Sequence, residues 1–343
     1  MPSHNNLAII AAAGSRKTEY VIDKALGMPD KNVLITTYTN ENQRQIIERI
    51  QAKSNGTVPA HITVLGWFTF LVNECARPYQ NAFTLKPGYM KSLNFIGERY
   101  RLTSKNSLSY FFDKNRDIYR NGVSDFACDV NQITGGKVIA RLEQIWDHIF
   151  IDEVQDLVGF DLDLLDRLFD STIGITLVGD PRQYMVPTNT ASKYKKYKKE
   201  GLLDWFEERK AKVTIEPRVQ SHRCNQTICD FADALFPNMP STESLNTEVT
   251  GHDGIFIIPR ADVAAYVATY KPTILRENKN TDTEGLAAIN IGVSKGSTYD
   301  RVLIFPASTV IQYYKNRDLE NFKSRERLYV AATRARFSAT FVE

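Results

Sequence analysis

Short apolar runs, each ending in small or acidic residues, recur along the chain. The first occupies residues 7–13 (L-A-I-I-A-A-A) and passes through Gly14, Ser15 and Arg16 into Lys17, Thr18 and a helical pattern. The next, V-L-I-T-T at 33–37, leads through Tyr38, Thr39 and Asn40 into a helix expected over 41–52. Ile46, Ile47 and Ile50 share one face of that helix, and Asn40 is its expected N-cap. Residues 61–65 form a third strand, and 66–72 read as a buried turn and helix. Further on, 149–151 and 175–178 are buried strands, with helices at 138–146 and 161–169. Strand, loop and helix in repetition predict a parallel sheet, because strands covered on both faces lose the polar alternation.

Between 86 and 137 the periodicity loosens and Tyr, Asn, Lys and Arg accumulate, so this stretch reads as an inserted subdomain. A second α/β series starts near residue 212. Its strands are expected at 213–215, 255–258, 273–275, 288–291, 302–305 and 339–342, and its helices at 225–235, 261–268 and 323–333. The fold class is therefore α/β with two domains of one kind. The first spans 1–211 with its insertion at about 86–137, and the second spans 212–343.

Composition narrows this little. A chain of 343 residues with 43% hydrophobic and 24% charged residues is an ordinary globular protein of about two domains. No apolar run approaches the roughly 18 residues of a membrane span, and residues 1–6 lack the basic start of a signal peptide. No membrane partner is expected. Cys75, Cys128, Cys224 and Cys229 are scattered, and only the last two are close, with no His or Cys cluster nearby to complete a metal site. They read as reduced thiols of a cytoplasmic protein. Net charge is +3, so any nucleic-acid surface must be local. One candidate is the tract from Lys193 to Lys199, where Tyr194 and Tyr197 interleave with lysines. Such a tract can track a phosphate backbone and stack bases, or it can be a solvated helix face.

Residues 7–18 have the layout of a phosphate-binding loop between strand and helix. Small residues let backbone N–H groups close on phosphates, and the helix N-terminus adds positive charge. In the pattern G-x-x-x-x-G-K-[ST], Lys17 reaches the outer phosphates and Thr18 holds Mg²⁺. Arg16 stands where the last Gly belongs, and Ala11 replaces the first. Asp152 and Glu153 follow a buried strand, where one carboxylate can hold the metal through water and its neighbour can polarise an attacking water.

Seven motifs in order resemble the UvrD/Rep-like helicases of superfamily 1. Residues 7–18 match motif I, and I-T-T-Y-T-N at 35–40 matches motif Ia. I-D-E-V-Q-D at 151–156 matches motif II, and L-V-G-D-P-R-Q at 177–183 matches motif III. S-H-R-C-N-Q-T-I at 221–228, V-S-K-G-S-T-Y-D at 293–300 and R-L-Y-V-A-A-T-R-A-R at 327–336 match motifs IV, V and VI. The resemblance implies two RecA-like P-loop domains with ATP in the cleft between them. It assigns ATP to Ala13, Gly14, Ser15, Arg16, Lys17, Thr18, His222 and Lys24, and Mg²⁺ to Thr18 and Asp152. Glu153 would be the general base, Gln183 would sense the γ-phosphate, and Arg223 and Arg334 would be arginine fingers. Tyr38, Thr39, Asn40, Trp67 and Tyr184 form the implied nucleic-acid set. For Trp67 a core position competes, because G-W-F departs from the family's T-H-S-F.

Other departures bear on function. No Gln lies among the sixteen residues before Lys17, where the family reads adenine, and His222 replaces a base-stacking Tyr. Thr298 stands for the ribose-binding Glu, and Gly292 for a DNA-contacting His. The long second-domain insertion of the large helicases is missing, so the resemblance is to a minimal form. The implied function is an ATP-dependent DNA helicase or translocase moving 3′ to 5′ on single-stranded DNA, with RNA left open. The alternative is a nucleotide-gated nucleic-acid-binding or scaffold protein that hydrolyses poorly because of Arg16. A further reading is a subunit partnered with a nuclease in phage defence.

Overall fold

The computed structural model describes residues 6–82, 90–100, 102–105, 107–320 and 322–343. Its six-stranded sheet runs in the order Ile62–Gly66, Val33–Thr37, His148–Asp152, Gly174–Gly179, Leu7–Ala11, Thr214–Arg218. Val33–Thr37 pairs in parallel with Ile62–Gly66 on one side and with His148–Asp152 on the other, and His148–Asp152 pairs in parallel with Gly174–Gly179. Val33–Thr37 and His148–Asp152 are buried along their whole length, which is why they read as unbroken apolar runs. A five-stranded sheet follows in the order Gly254–Ile258, Ala335–Val342, Tyr299–Phe305, Thr273–Arg276, Ile289–Asn290, again with parallel pairing. Val263, Tyr266, Ile274, Leu303, Phe305 and Val342 form a core on it.

The chain divides into two compact units that do not follow simple halves. The first comprises residues 1–9, 17–179 and 186–216. The second comprises residues 10–16, 180–185 and 217–343, so the loop before Lys17 and the turn after Gly179 belong with the C-terminal part.

Most expected elements form within a residue or two, the strands expected at 302–305 and 339–342 begin earlier, at Tyr299 and Ala335, and four other expectations differ. Thr39, not Asn40, caps the helix Asn40–Lys53, accepting the Asn42 N–H at 3.1 Å. The strand near 213 forms at Thr214–Arg218 and joins the first sheet beside Leu7–Ala11, not the second series. Residues 86–89, 101 and 106 of the expected insertion lie outside the described residues. Of the rest, Leu93–Asn94 pairs with Ile118–Tyr119, but Val123–Ile133 is a buried helix packed on Leu71–Ala76 and Phe160–Phe169. Its polar residues hid it. Ser124 and Asn131 are buried with partners, Ser124 donating to Asp161 and Asn131 accepting the Ile139 N–H at 3.1 Å.

The fourth difference is the lysine tract, which holds a single 3-10 turn at Lys195–Tyr197. Lys193 and the Tyr194 hydroxyl bind Asp163, at 2.5 and 2.9 Å, and Lys196 reaches Glu208 at 3.3 Å. The Tyr197 hydroxyl also donates to Glu208. Two of the tract's five lysines thus pair with carboxylates of their own unit.

Candidate nucleotide site

In the first unit, the strand His148–Asp152 delivers two acids at its carboxyl end. Thr18, second residue of the helix Lys17–Leu26, donates its hydroxyl to Asp152 Oδ2 at 2.8 Å. The Glu153 N–H donates to Asp152 Oδ1 at 2.9 Å. Glu153 adopts φ 62°, a left-handed backbone that turns the strand abruptly into the 3-10 turn Val154–Asp156. Gln155 Nε2 donates back to the Glu153 carboxylate. Gly179 on the neighbouring strand makes room for this turn, since a Cβ there would lie 2.8 Å from Val154 Cγ1.

Both acids are nearly enclosed, Asp152 at 3% and Glu153 at 5% exposure. Burial, reinforced by the Glu153 charge, pushes the Asp152 carboxyl up to about 6, while Lys17 and the Thr18 hydroxyl oppose the shift. Two buried acids side by side call for a cation, and the hard oxygens of Thr18 and Asp152 suit Mg²⁺. Among the described residues no group of three or more His, Cys, Asp or Glu could hold a metal.

The second unit carries the loop. The Ala12 N–H donates to Arg218 O at 2.8 Å, and the Ser15 N–H closes a turn onto Ala12 O at 3.2 Å. Gly14 has φ 79°, and a Cβ on it would fall 2.6 Å from Ser221 Oγ and 2.7 Å from Arg223 Cβ. Only glycine fits that approach. The His222 N–H donates to Gly14 O at 3.0 Å. Arg16 has φ 58°, the left-handed conformation for which glycine is favoured, and its side chain is exposed. Partial burial, with the Arg16 charge second, lowers the His222 imidazole below its usual range.

The remaining groups of this unit converge on Asp180, which is fully buried. It accepts from Arg182 Nε at 2.8 Å, Gln183 Nε2 at 2.9 Å and the Tyr329 hydroxyl at 2.9 Å. Arg334 is 1% exposed. Its guanidinium donates to Val330 O at 3.1 Å and Ser297 O at 3.2 Å, and reaches Gln183 Oε1 at 3.5 Å. Arg223 Nη1 donates to Thr333 O at 3.0 Å. Gln183, Arg223 and Arg334 thus gather as two adjoining groups, together with residues the motif reading did not single out. These are Asp180, Arg182, Tyr329 and Ser221, with Gln155 in the first unit. All lie inside the quoted motifs, which was the available signal.

The nucleic-acid set is less uniform. Tyr38 is half-buried, its hydroxyl donating to Pro187 O at 3.3 Å and its ring edge-on to Phe68 at 5.8 Å. Thr39 and Asn40 are exposed at the start of their helix, and Tyr184 is half-buried after the turn Pro181–Gln183. Trp67 must be reassigned. It is 1% exposed and its indole N–H donates to the buried Asp161 at 3.0 Å, so it packs the core and presents no face to a base. Lys24 lies in the last turn of its helix, exposed, with its ammonium 5.6 Å from the Tyr20 ring centre. At about 1.5 Å per residue it stands roughly 10 Å along the axis from Lys17.

Residues 98–186 match the family model of the UvrD/REP helicase N-terminal domain. Among solved structures, arterivirus nonstructural protein 10, a helicase, matches with TM-score 0.50 and 15% identity over 98% of this chain and 59% of that one. The PRRSV helicase matches with TM-score 0.49 and 15% identity over 100% of this chain and 53% of its own. A complex of arterivirus nonstructural protein 10 with DNA matches with TM-score 0.49 and 14% identity, over 98% of this chain and 61% of that one. The chain thus spans between about half and three fifths of these helicases. No curated protein matches it. At such identity the arterivirus likeness speaks for the fold, and the family model speaks for residues 98–186. The resemblance drawn from the motifs is thus joined by a likeness of fold to one arterivirus helicase structure and by a similarity of residues 98–186 to the UvrD/REP helicase N-terminal domain.

Proposed function

We propose that the protein is a nucleotide-driven motor on nucleic acid, an ATP-dependent helicase or single-strand translocase moving 3′ to 5′ on DNA. The observation that carries this reading is the Thr18 hydroxyl bonded at 2.8 Å to buried Asp152, with Glu153 next in the chain. A hydroxyl and a carboxylate held together at the foot of a phosphate loop match a magnesium–nucleotide site, and a second acid beside them matches a base for water.

The chain's own groups divide the work. Backbone N–H groups of the loop and the Lys17 ammonium would bind phosphate oxygens. Thr18 and Asp152 would hold Mg²⁺, which when bound neutralises charge on the phosphates. Glu153, fixed by Gln155, would orient and deprotonate the attacking water. Gln183, Arg223 and Arg334, carried by the other unit, would stabilise charge that develops in transfer. A requirement for groups from both units would tie hydrolysis to their arrangement, and so to stepping along a strand.

The test is phosphate release with and without single-stranded DNA, for wild type and Lys17→Ala, followed by displacement of duplexes with 3′ or 5′ tails. DNA-stimulated hydrolysis that Lys17→Ala abolishes is expected, with displacement from the 3′ tail. Absence of nucleotide turnover under either tail would sink the motor. A second reading rests on Arg16, a non-glycine residue in left-handed backbone within the loop. It makes the chain a nucleotide-gated binding protein or scaffold with slow turnover, which predicts nucleotide binding with hydrolysis near background. Service to a nuclease partner would be sought by co-purification from the native host.

A further inference from the structure

Tyr329 lies on the helix Arg325–Ala332, and within the second unit its hydroxyl bridges two segments far apart in sequence. It accepts the Ala13 N–H at 3.1 Å and donates to Asp180 Oδ2 at 2.9 Å. A phenol has one donor and can accept at its lone pairs, so both roles are filled at once. Burial holds its ionisation well above the usual phenol range, so the donor stays protonated. The ring is fixed as well, edge-on to Phe236 at 5.6 Å and 5.0 Å from the Arg182 guanidinium.

Asp180 Oδ2 also accepts Gln183 Nε2 at 2.9 Å, and Gln183 Oε1 faces Arg334 Nη2 at 3.5 Å. An amide held at its nitrogen by a carboxylate and at its oxygen by a guanidinium has one orientation. The resulting chain runs Ala13, Tyr329, Asp180, Gln183, Arg334. Its first member is main chain of the phosphate loop and its last two are groups proposed to act on the transferred phosphate. Tyr329 is 1% exposed, so its role is to position other groups and not to touch the nucleotide.

We propose that Tyr329 is a positioning residue of the nucleotide site, its hydroxyl setting the loop main chain at Ala13 and, through Asp180, the orientation of Gln183. This rests on the nucleotide-site reading above. The ring alone would serve the core, as Phe would. The hydroxyl is what links the loop to Gln183.

The test compares Tyr329→Phe, Gln183→Ala and the double variant in steady-state ATP hydrolysis, with Lys17→Ala as control. All are assayed where circular dichroism shows them folded. Tyr329→Phe keeps the ring contacts and removes only the bridge. We expect kcat to fall roughly tenfold or more, while KM for ATP and the affinity for a fluorescent ADP change by less than about threefold. The double variant should be slower than Gln183→Ala by much less than the Tyr329→Phe loss in wild type, because the two variants share the path through Asp180. An unchanged kcat in Tyr329→Phe, or losses that multiply in the double variant, would overturn the proposal while leaving the nucleotide site intact. Wild-type protein that neither hydrolyses ATP nor responds to Lys17→Ala would overturn the nucleotide site, and the proposal with it.

Discussion

The two groups of site residues are built on opposite principles. In the first unit Asp152 and Glu153 are buried acids side by side, supported by one hydroxyl, one main-chain N–H and one amide. In the second unit Asp180 is buried as deeply, yet it sits among Arg182, Gln183 and Tyr329. The first arrangement sets two acids next to each other near Lys17, whereas the second gathers several donors around one acid. Two adjacent buried acids, one of them raised toward pH 6, are a poor way to stabilise a fold and a good way to hold a cation. A saturated network orients groups and resists change.

The contrast predicts that equivalent losses of activity will have different structural costs. Arg334→Ala should lower kcat for ATP hydrolysis by about 10³-fold. It should also lower the melting temperature by several degrees, since it empties a site 1% exposed and strands acceptors on Val330, Ser297 and Gln183. Glu153→Gln should lower kcat by about 10²–10³-fold. Its melting temperature should stay level or rise, because one of two adjacent buried charges is gone. Calorimetry beside phosphate-release kinetics measures both. A Glu153→Gln protein that melts well below wild type would mean the acid pair is structural.

Trp67 and Tyr38 extend the comparison to the nucleic-acid face. Trp67→Ala should destabilise the first unit by about 3–5 kcal/mol, read by chemical denaturation, since it removes a large core ring and the indole donor of Asp161. Tyr38→Ala should instead weaken single-strand binding by about 1–3 kcal/mol, measured by anisotropy, through lost base stacking. Equal loss of DNA affinity in both variants, with Trp67→Ala still folded, would undo the assignment of Trp67 to the core.

These residues also show what was legible in the sequence. The sheet strands were, because parallel strands buried on both faces leave apolar runs whose ends mark where Lys17, Asp152 and Gln183 begin. The Val123–Ile133 helix was not, because its face is completed by buried polar residues bonded to other elements. The position of Thr214–Arg218 was not, since a short strand carries no mark of the neighbour it will pair with. Tyr329 was visible as a motif letter but not as a bridge, because its partner Ala13 is 316 residues away. Periodicity reports the element a residue belongs to, and side-chain hydrogen bonding across the fold does not appear in it.

At the other end of the Asp152 strand lies His148, a buried imidazole beside Thr176 that burial lowers to about 4, with Lys31 adding to the shift. Above pH 6.5 it is neutral in folded and unfolded chains alike. Between 6.5 and about 4 only the unfolded chain takes up the proton, so stability falls with pH, by roughly 3 kcal/mol in all. His148→Phe should flatten this part of the acid profile in urea titrations at successive pH values. An unchanged slope would show that the imidazole is already charged in the fold.

The smallest expected effect is at Arg16, where the two readings of function part. Its φ of 58° costs a non-glycine side chain on the order of 1 kcal/mol. Arg16→Gly removes that strain but frees the unfolded chain, so the net gain in stability should be at most about 1 kcal/mol. Arg16→Ala keeps the strain and loses the guanidinium, which separates backbone from charge. If the protein is a motor, the loop already works with arginine in place, and both variants should hydrolyse ATP within about threefold of wild type, under 1 kcal/mol in barrier. If Arg16 holds the site as a slow switch, turnover should rise by more than about tenfold on replacement. A rise in Arg16→Gly alone would assign the restraint to the left-handed backbone, and a rise in both would assign it to the guanidinium. The acid pair and the Asp180 network are the same in either case, so the two variants isolate what this one loop residue contributes to turnover.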